Sequence, residues 1–320
     1  MRTIIVEETG GPQQLLLREV PEPTPKEGQV AVQVAAAGIN YIDTYHRSGQ
    51  YPLPLPFTPG LEGAGVVTGV GEGVTGVKLG DQVAWSSVAG SYADTLIADV
   101  DRLAIVPPNV ELNVAAAVML QGLTAHYLCT SVYPVKEGDW TLVHAAAGGV
   151  GLLLTQLIKL RGGHVLGTAS TSDKRELALQ NGADAVCDYE SFLEDALELT
   201  EGKGVHVAFD GVGADTFADS MQSLRPRGMM ALFGQSSGPV EPFDPQSLSK
   251  GGSLFLTRPT LAHYIAEPAE FVWRTGELFE LLQSGNLNVR IGAQYQLEQA
   301  AQAHLDLESR KITGKALLHP

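Results

Sequence analysis

Along the first third of the chain, short valine-rich runs alternate with polar residues and close on glycine. Residues 29–36 (QVAVQVAA) carry the two-residue period of a half-buried strand, and residues 63–70 and 80–86 repeat it. Gly71-Glu72-Gly73 and Gly76 mark turns, and Pro52, Pro54, Pro56 and Pro59 mark an irregular loop. Short strands so closely spaced predict a compact, barrel-like β domain. Near residue 112 the period changes. Residues 113–128 are rich in alanine and leucine at helical spacing, and residues 140–144 (WTLVH) read as a buried strand. Strands at 165–168, 185–187, 205–210 and 229–233 then alternate with helices at 152–160, 174–180, 192–200 and 217–224. That rhythm predicts a parallel sheet covered on both faces. After about residue 260 it stops. Helices at 270–284 and 299–309, extended pieces around Val289, Tyr295 and Leu297, and a last strand at 315–318 form a tail expected to pack on the first domain. The chain thus reads as an α/β protein in three stretches, 1–122, 123–260 and 261–320.

Composition narrows the function classes. Of 320 residues, 44% are apolar and 18% charged, enough for two ordinary cores. The net charge of −15, with no basic block, disfavours nucleic-acid binding because phosphate backbones would be repelled. Two cysteines supply neither a disulfide framework nor a four-cysteine zinc site, so buried thiols in a reducing, cytoplasmic setting are expected. The N-terminus reaches Glu7 and Glu8 too early for a signal peptide. No uninterrupted apolar run approaches the ~20 residues that cross a bilayer, so no membrane span is expected.

The strongest local signal joins the strand at 140–144 to the helix at 152–160 through Ala145-Ala146-Ala147-Gly148-Gly149-Val150-Gly151. Glycines in such a turn let the backbone approach a pyrophosphate, and the helix N-terminus offers free N–H groups and partial positive charge. The next strand separates NAD from NADP. An acidic residue at its end would bind the ribose hydroxyl of NAD. Here the strand ends in Gly167-Thr168-Ala169-Ser170-Thr171-Ser172-Asp173, with Lys174 and Arg175 beyond. Ser170 and Lys174 suit a 2′-phosphate, and Asp173 is expected at a helix cap. A cation in a first helical turn is poorly placed on dipole grounds, which favours a ligand for Lys174 over a purely solvated role.

These residues resemble a known family. His144 to Gly151 looks like the cofactor turn of quinone oxidoreductases, the zinc-free, zeta-crystallin-like branch of the medium-chain dehydrogenase/reductase superfamily. Gly38-Ile39-Asn40-Tyr41-Ile42-Asp43-Thr44-Tyr45, Pro59-Gly60-Leu61-Glu62-Gly63-Ala64-Gly65, Leu120-Gln121-Gly122-Leu123-Thr124-Ala125, Phe233-Gly234-Gln235-Ser236-Ser237-Gly238 and Thr257-Arg258-Pro259-Thr260 extend the likeness end to end. The resemblance implies a GroES-like catalytic domain split around a Rossmann domain, NADPH as cofactor, and a homodimer joined through the edges of the cofactor sheets, with residues 253–256 as the pairing strand. It implies that Ala147, Gly148, Gly149 and Val150 hold the pyrophosphate. Ser170, Lys174 and Tyr189 match the adenosine and 2′-phosphate end. Gly213, Gly234, Gln235 and Ser236 match stretches along the cofactor, and Arg258 and Pro259 the segment near the nicotinamide.

Zinc enzymes of that superfamily carry Cys where this chain has Asn40 and His where it has Leu61. Leu61 cannot bind a metal and Asn40 is a poor zinc ligand. Glu62 alone does not make a site, and the eight histidines show no paired ligand spacing, so no metal is expected. A quinone or conjugated enone is electron-poor and accepts hydride without a Lewis acid, given correct placement. Asn40 and Tyr45 are the candidates to donate hydrogen bonds to substrate or cofactor. For Tyr45 a packing role stands equally open. Gln121 and Thr124 are candidates for the nicotinamide ribose or amide, and Asp43 and Arg47 for a structural pair. His126 and His144 read as packed residues without chemistry. The reading is NADPH:quinone oxidoreductase. Its alternatives are a reductase of α,β-unsaturated ketones and aldehydes, and an NADPH-binding structural or RNA-binding protein.

Overall fold

The computed structural model describes residues 1–320. The chain forms two compact units, Met1–Leu123 with Ile265–Pro320, and Thr124–Tyr264. Its strands in order are β1 (Arg2–Ile5), β2 (Leu16–Glu19), β3 (Gln29–Ile39), β4 (Glu62–Val70), β5 (Gln82–Ser86), β6 (Thr95–Asp99), β7 (Leu103–Ile105), β8 (Trp140–Val143), β9 (His164–Thr168), β10 (Ala185–Cys187), β11 (Val205–Asp210), β12 (Leu224–Leu232), β13 (Phe255–Thr257), β14 (Ile291–Gln296) and β15 (Lys315–His319).

In the first unit, β14, β15, β3, β4, β5 and β7 lie side by side, and β6 joins the edge of β3. The barrel expectation needs correction, since the hydrogen bonding leaves β14 and β7 as ends. The reason lies in β3. Eleven residues long, it pairs with β4 along one edge (Val30 to Ala37), while the other edge is divided between β6 (Gln29 to Gln33) and β15 (Ala37 to Ile39). Shared three ways, β3 is buried on nearly every residue, so its valines do not simply alternate between core and water. Ile4, Val32, Val83, Trp85, Leu297 and Leu318 meet in the core beneath it. The tail therefore supplies two strands, β14 and β15, to the first unit's sheet.

The second unit holds six parallel strands in the order β10-β9-β8-β11-β12-β13. Counted from β8, that is 3-2-1-4-5-6, the doubly wound order of dinucleotide-binding folds, with its switch point between β8 and β11. Strand β8 (WTLV) is buried along most of its length, as the middle of a sheet covered on both faces requires. At the far end β13 is an edge, and Phe255 on it is 57% exposed.

One helix runs through the change of units: α1 is Tyr41–Ser48, and α2 is Leu112–Tyr127, continued as a π-helical turn over Leu128–Val132. Residues Leu112–Val132 are long and apolar enough to cross a membrane, with mean hydropathy 1.3, and 72% of that window is buried inside the protein. Asn113, Gln121, Thr124 and His126 interrupt its apolar run, so it does not stand out in the sequence as a continuous span.

Candidate functional site

In the second unit, β8 leads through the glycine turn into α3 (Gly149–Leu160) at the switch point. Ala145 adopts φ 51°, a left-handed conformation that turns the chain sharply, and its carbonyl accepts from Gly148 at 2.8 Å. A Cβ on Gly151 would overlap the Ala145 carbonyl and the Ala146 backbone, so only glycine lets helix and turn lie this close. The cap residue Gly148 offers no side-chain hydrogen bond to the helix, so the N-terminal amides are left for another acceptor. Ala147, Gly148, Gly149 and Val150 thus stand at a backbone cradle suited to a pyrophosphate.

After β9, Ser170 is exposed and Lys174 half-buried at the start of α4 (Ser172–Gln180). The cap of that helix is Thr171, whose hydroxyl accepts from the Lys174 N–H at 3.3 Å. Asp173 lies inside the first turn and does not cap, which corrects the sequence expectation. A helix start prefers an oxygen acceptor one residue before its first turn, and Thr171 is in that place. Tyr189 follows β10, its ring 6.2 Å from that of His144.

His144 bonds Thr168 Oγ1 at 3.0 Å and Ser220 Oγ at 2.7 Å, and burial lowers its pKa. It is a neutral ring joining β8, β9 and the helix Phe217–Gln222, as a packed histidine should be.

The loops after β11 and β12 are tied together. Buried Asp210 accepts from the N–H groups of Val212 (2.7 Å) and Gly213 (3.0 Å) and from Thr216 Oγ1 (2.7 Å). Gly234 donates to the Asp210 carbonyl at 3.2 Å, and Ser236 to that of Gly211 at 3.2 Å. Gly213 (φ 95°) has no room for a Cβ beside the Gly238 carbonyl. Gly213 is thus placed by the Asp210 carboxylate, a residue not singled out from the sequence, and Gly234 and Ser236 by the backbone carbonyls of Asp210 and Gly211. The signal for Asp210 was an acid ending a buried strand. Arg258 and Pro259 follow β13, the first exposed and the second buried.

The first unit holds a second polar assembly, built from side chains. Glu62, at the head of β4, is fully buried. One of its oxygens accepts from Lys315 Nζ and from Asn40 Nδ2 (2.5 Å), and the other from Leu120 N on α2 (2.6 Å). Lys315 also donates to Asn40 Oδ1 (2.8 Å) and to the Ile39 carbonyl (3.3 Å). Gln121 Nε2 donates to Asn40 Oδ1 at 3.4 Å, while Gln121 Oε1 is buried and without a hydrogen-bond partner. A Cβ on Gly38 would fall inside the Glu62 side chain, so this glycine makes the room for the carboxylate. Thr124 lies three residues beyond Gln121, on the same helical face, and is buried.

Asp43 and Arg47, expected as a pair, are not one. Asp43 turns back to accept from Asn40 N (2.8 Å), closing the first turn of α1, and accepts from Tyr92 Oη (3.1 Å). Arg47 instead bonds Glu308 at 2.7 Å and His304 Nδ1 at 3.2 Å. The two stand four residues apart on one helix, but the Asn40 N–H at the start of that helix and the hydroxyl of the loop residue Tyr92 take the carboxylate. A guanidinium only donates, so His304 Nδ1 is the acceptor and its Nε2–H donates to Tyr92 Oη at 3.1 Å. Burial raises Asp43 to about 7, against the Asn40 N–H and Lys315, and lowers His304 to about 3. Tyr45 is half-buried on α1, its ring edge-on to Tyr51 at 5.3 Å. Lys315 is not singled out by the sequence, and Glu62 stands out there only as a lone carboxylate. A lysine opening an apolar strand, and an acid between Leu61 and Gly63, were the available signals.

A split GroES-like domain and a 3-2-1-4-5-6 parallel sheet with a glycine turn at its switch point define a medium-chain dehydrogenase/reductase. Residues 26–132 match the family described as alcohol dehydrogenase GroES-like domain, and residues 149–266 that described as zinc-binding dehydrogenase. The quinone oxidoreductase of Pseudomonas aeruginosa is 42% identical over 97% of this chain and 97% of its own. The crystal structure of Escherichia coli quinone oxidoreductase complexed with NADPH superposes with a TM-score of 0.98 at 40% identity, covering 100% of both chains. A 2-haloacrylate reductase from a Burkholderia species is 37% identical over 99% of this chain and 98% of its own. The chain belongs to the quinone oxidoreductase family.

Proposed function

We propose that this protein is an NADPH:quinone oxidoreductase that works without a metal. The observation that carries the reading is the glycine turn at the switch point, in a chain matching NADPH-complexed quinone oxidoreductase over its whole length. The bound coenzyme supplies the hydride. The turn at Ala147, Gly148, Gly149 and Val150 holds the pyrophosphate, with the Gly148 N–H spent on the Ala145 carbonyl and the neighbouring amides left as donors. Ser170, Lys174 and Tyr189 hold the adenosine end and its 2′-phosphate. Gly213, Gly234, Gln235 and Ser236 line the cofactor, with Arg258 and Pro259 toward the nicotinamide. Gln121 and Thr124 meet the nicotinamide ribose or amide, and the Tyr45 phenol hydrogen-bonds the acceptor. Asn40 serves as a holder more than as a direct donor, since Glu62, Lys315 and Gln121 already engage its amide.

Metal independence is supported by the donor set. No three His, Cys, Asp or Glu side chains gather to hold a metal ion, and the Lys315 ammonium already serves Glu62 and Asn40 as their cation. The exposed edge of β13 supports a homodimer formed by strand pairing, and the free thiols of Cys129 and Cys187 suit the cytoplasm.

The 2-haloacrylate reductase relative favours one second reading, reduction of an activated carbon–carbon double bond by the same hydride. Steady-state oxidation of NADPH and NADH with 1,4-benzoquinone, an alkenal and 2-chloroacrylate separates the two. The quinone reading expects the highest kcat/KM for benzoquinone with NADPH. A higher value for either alkene contradicts it.

A further inference from the structure

The orientation of a side-chain amide is fixed by what its neighbours can do. The Lys315 ammonium has three hydrogens and meets three acceptors: the Ile39 carbonyl, Asn40 Oδ1 and Glu62. The Glu62 carboxylate only accepts, so it faces the Asn40 NH2 group. Lysine and glutamate thus hold the Asn40 amide from opposite ends, and a flipped amide would set donor against donor and acceptor against acceptor. With the Asn40 oxygen fixed, Gln121 turns its own NH2 toward it. What remains free on Gln121 is Oε1, buried and unpartnered. A buried acceptor left unsatisfied is destabilising, so a ligand donor at this atom is favoured.

We propose that Lys315 is a positioning residue: acting through Asn40, it fixes the Gln121 amide so that its carbonyl oxygen is offered to a ligand N–H donor, the nicotinamide carboxamide. The proposal rests on the coenzyme reading above. It assigns a function to a buried ion pair whose members are 253 residues apart. It also explains why Glu62 is tied at its second oxygen to Leu120 N, the residue before Gln121. The same carboxylate that orients Asn40 thereby anchors the helical turn that carries Gln121.

The test compares the calorimetric affinity of NADPH with that of its 3-acetylpyridine analogue, in which a methyl ketone replaces the carboxamide and removes the N–H donor. One hydrogen bond to a buried acceptor corresponds to a preference for NADPH of about tenfold in the unaltered protein. Glu62→Gln/Lys315→Met removes both charges together, so no buried ion is stranded. Because the new amide at position 62 can both donate and accept, Asn40 is no longer held in one orientation. The preference is expected to fall to about twofold or less in this variant, as in Gln121→Leu. Both are compared after circular dichroism shows a native fold. A purely structural role for the ion pair would weaken both ligands alike and leave their ratio intact. Retention of the full ratio in the double variant overturns the proposal, even if Gln121→Leu abolishes it. Equal affinity for the two ligands in the unaltered protein also overturns it. If neither ligand binds that protein, the coenzyme reading itself fails and takes the proposal with it.

Discussion

The turn after β8 and the cluster around Glu62 are both polar, and they are built in opposite ways. The turn is made of backbone. Its donors are amides, its geometry comes from glycine and a left-handed Ala145, and residues close in sequence complete it. The cluster is made mainly of side chains, drawn from the N-cap of α1, β4, α2 and β15, and it exists only once the tail has returned to the first sheet. The turn should therefore tolerate changes in surrounding side chains and fail when a Cβ is added. The cluster should fail when any one charge is removed and survive when charges leave in pairs.

The largest effect expected from this contrast is on stability. Lys315→Met alone strands the fully buried Glu62 carboxylate, which costs about 3–5 kcal/mol. Urea denaturation measures it, and Glu62→Gln/Lys315→Met should recover most of the loss. A single variant as stable as the original would show that the pair is not coupled.

On the other side, Gly151→Ala adds a Cβ where Ala145 and Ala146 leave no space. The turn must widen, and NADPH affinity is expected to fall by about tenfold or more, for an overpacking cost of ~1–3 kcal/mol. Unchanged affinity by calorimetry would mean that the turn does not carry the pyrophosphate.

A smaller effect concerns pH. His304, facing Arg47 and Tyr92, is lowered to about 3, below its ordinary 6.5. The unfolded chain binds a proton that the folded one refuses between those values. Stability from this group is complete above about 6.5 and is lost as pH falls toward 3. Asp43, raised to about 7, acts with the opposite sign, its contribution being fullest below about 3.8 and lost as pH rises through 7. His304→Gln should therefore flatten the acid side of the stability profile, read from thermal melts between pH 4 and pH 7. An unchanged acid slope would remove His304 from the account.

The same contrast decides what was legible in the sequence. The parallel sheet, its glycine turn and the NADPH-type end of β9 are local patterns, readable as period, glycine spacing and the absence of an acid at the strand end, Thr168 to Ser170. Strand ends shifted by a few residues: the expected 229–233 overlaps the second half of Leu224–Leu232, because Arg225, Pro226 and Arg227 mask the start of β12. In the first unit the strands were visible but their partners were not. Nothing in the period of residues 29–36 shows that β3 serves three neighbours. Asn40 stood out as a replaced metal ligand, yet its partners lie 22 and 275 residues away. Pairing at that separation is decided by the closed fold. The Asp43–Arg47 expectation failed for the same reason, since helical spacing offered a pair and tertiary packing gave each member another partner.

The most direct test of the central claim is calorimetric titration of the unaltered protein and of Lys174→Ala with NADPH and with NADH. The account predicts a clear binding heat with NADPH, weaker binding of NADH, and a loss in Lys174→Ala confined to NADPH. No detectable heat with NADPH would contradict the account outright, and equal binding of both coenzymes would contradict the assignment of Ser170 and Lys174 to the 2′-phosphate.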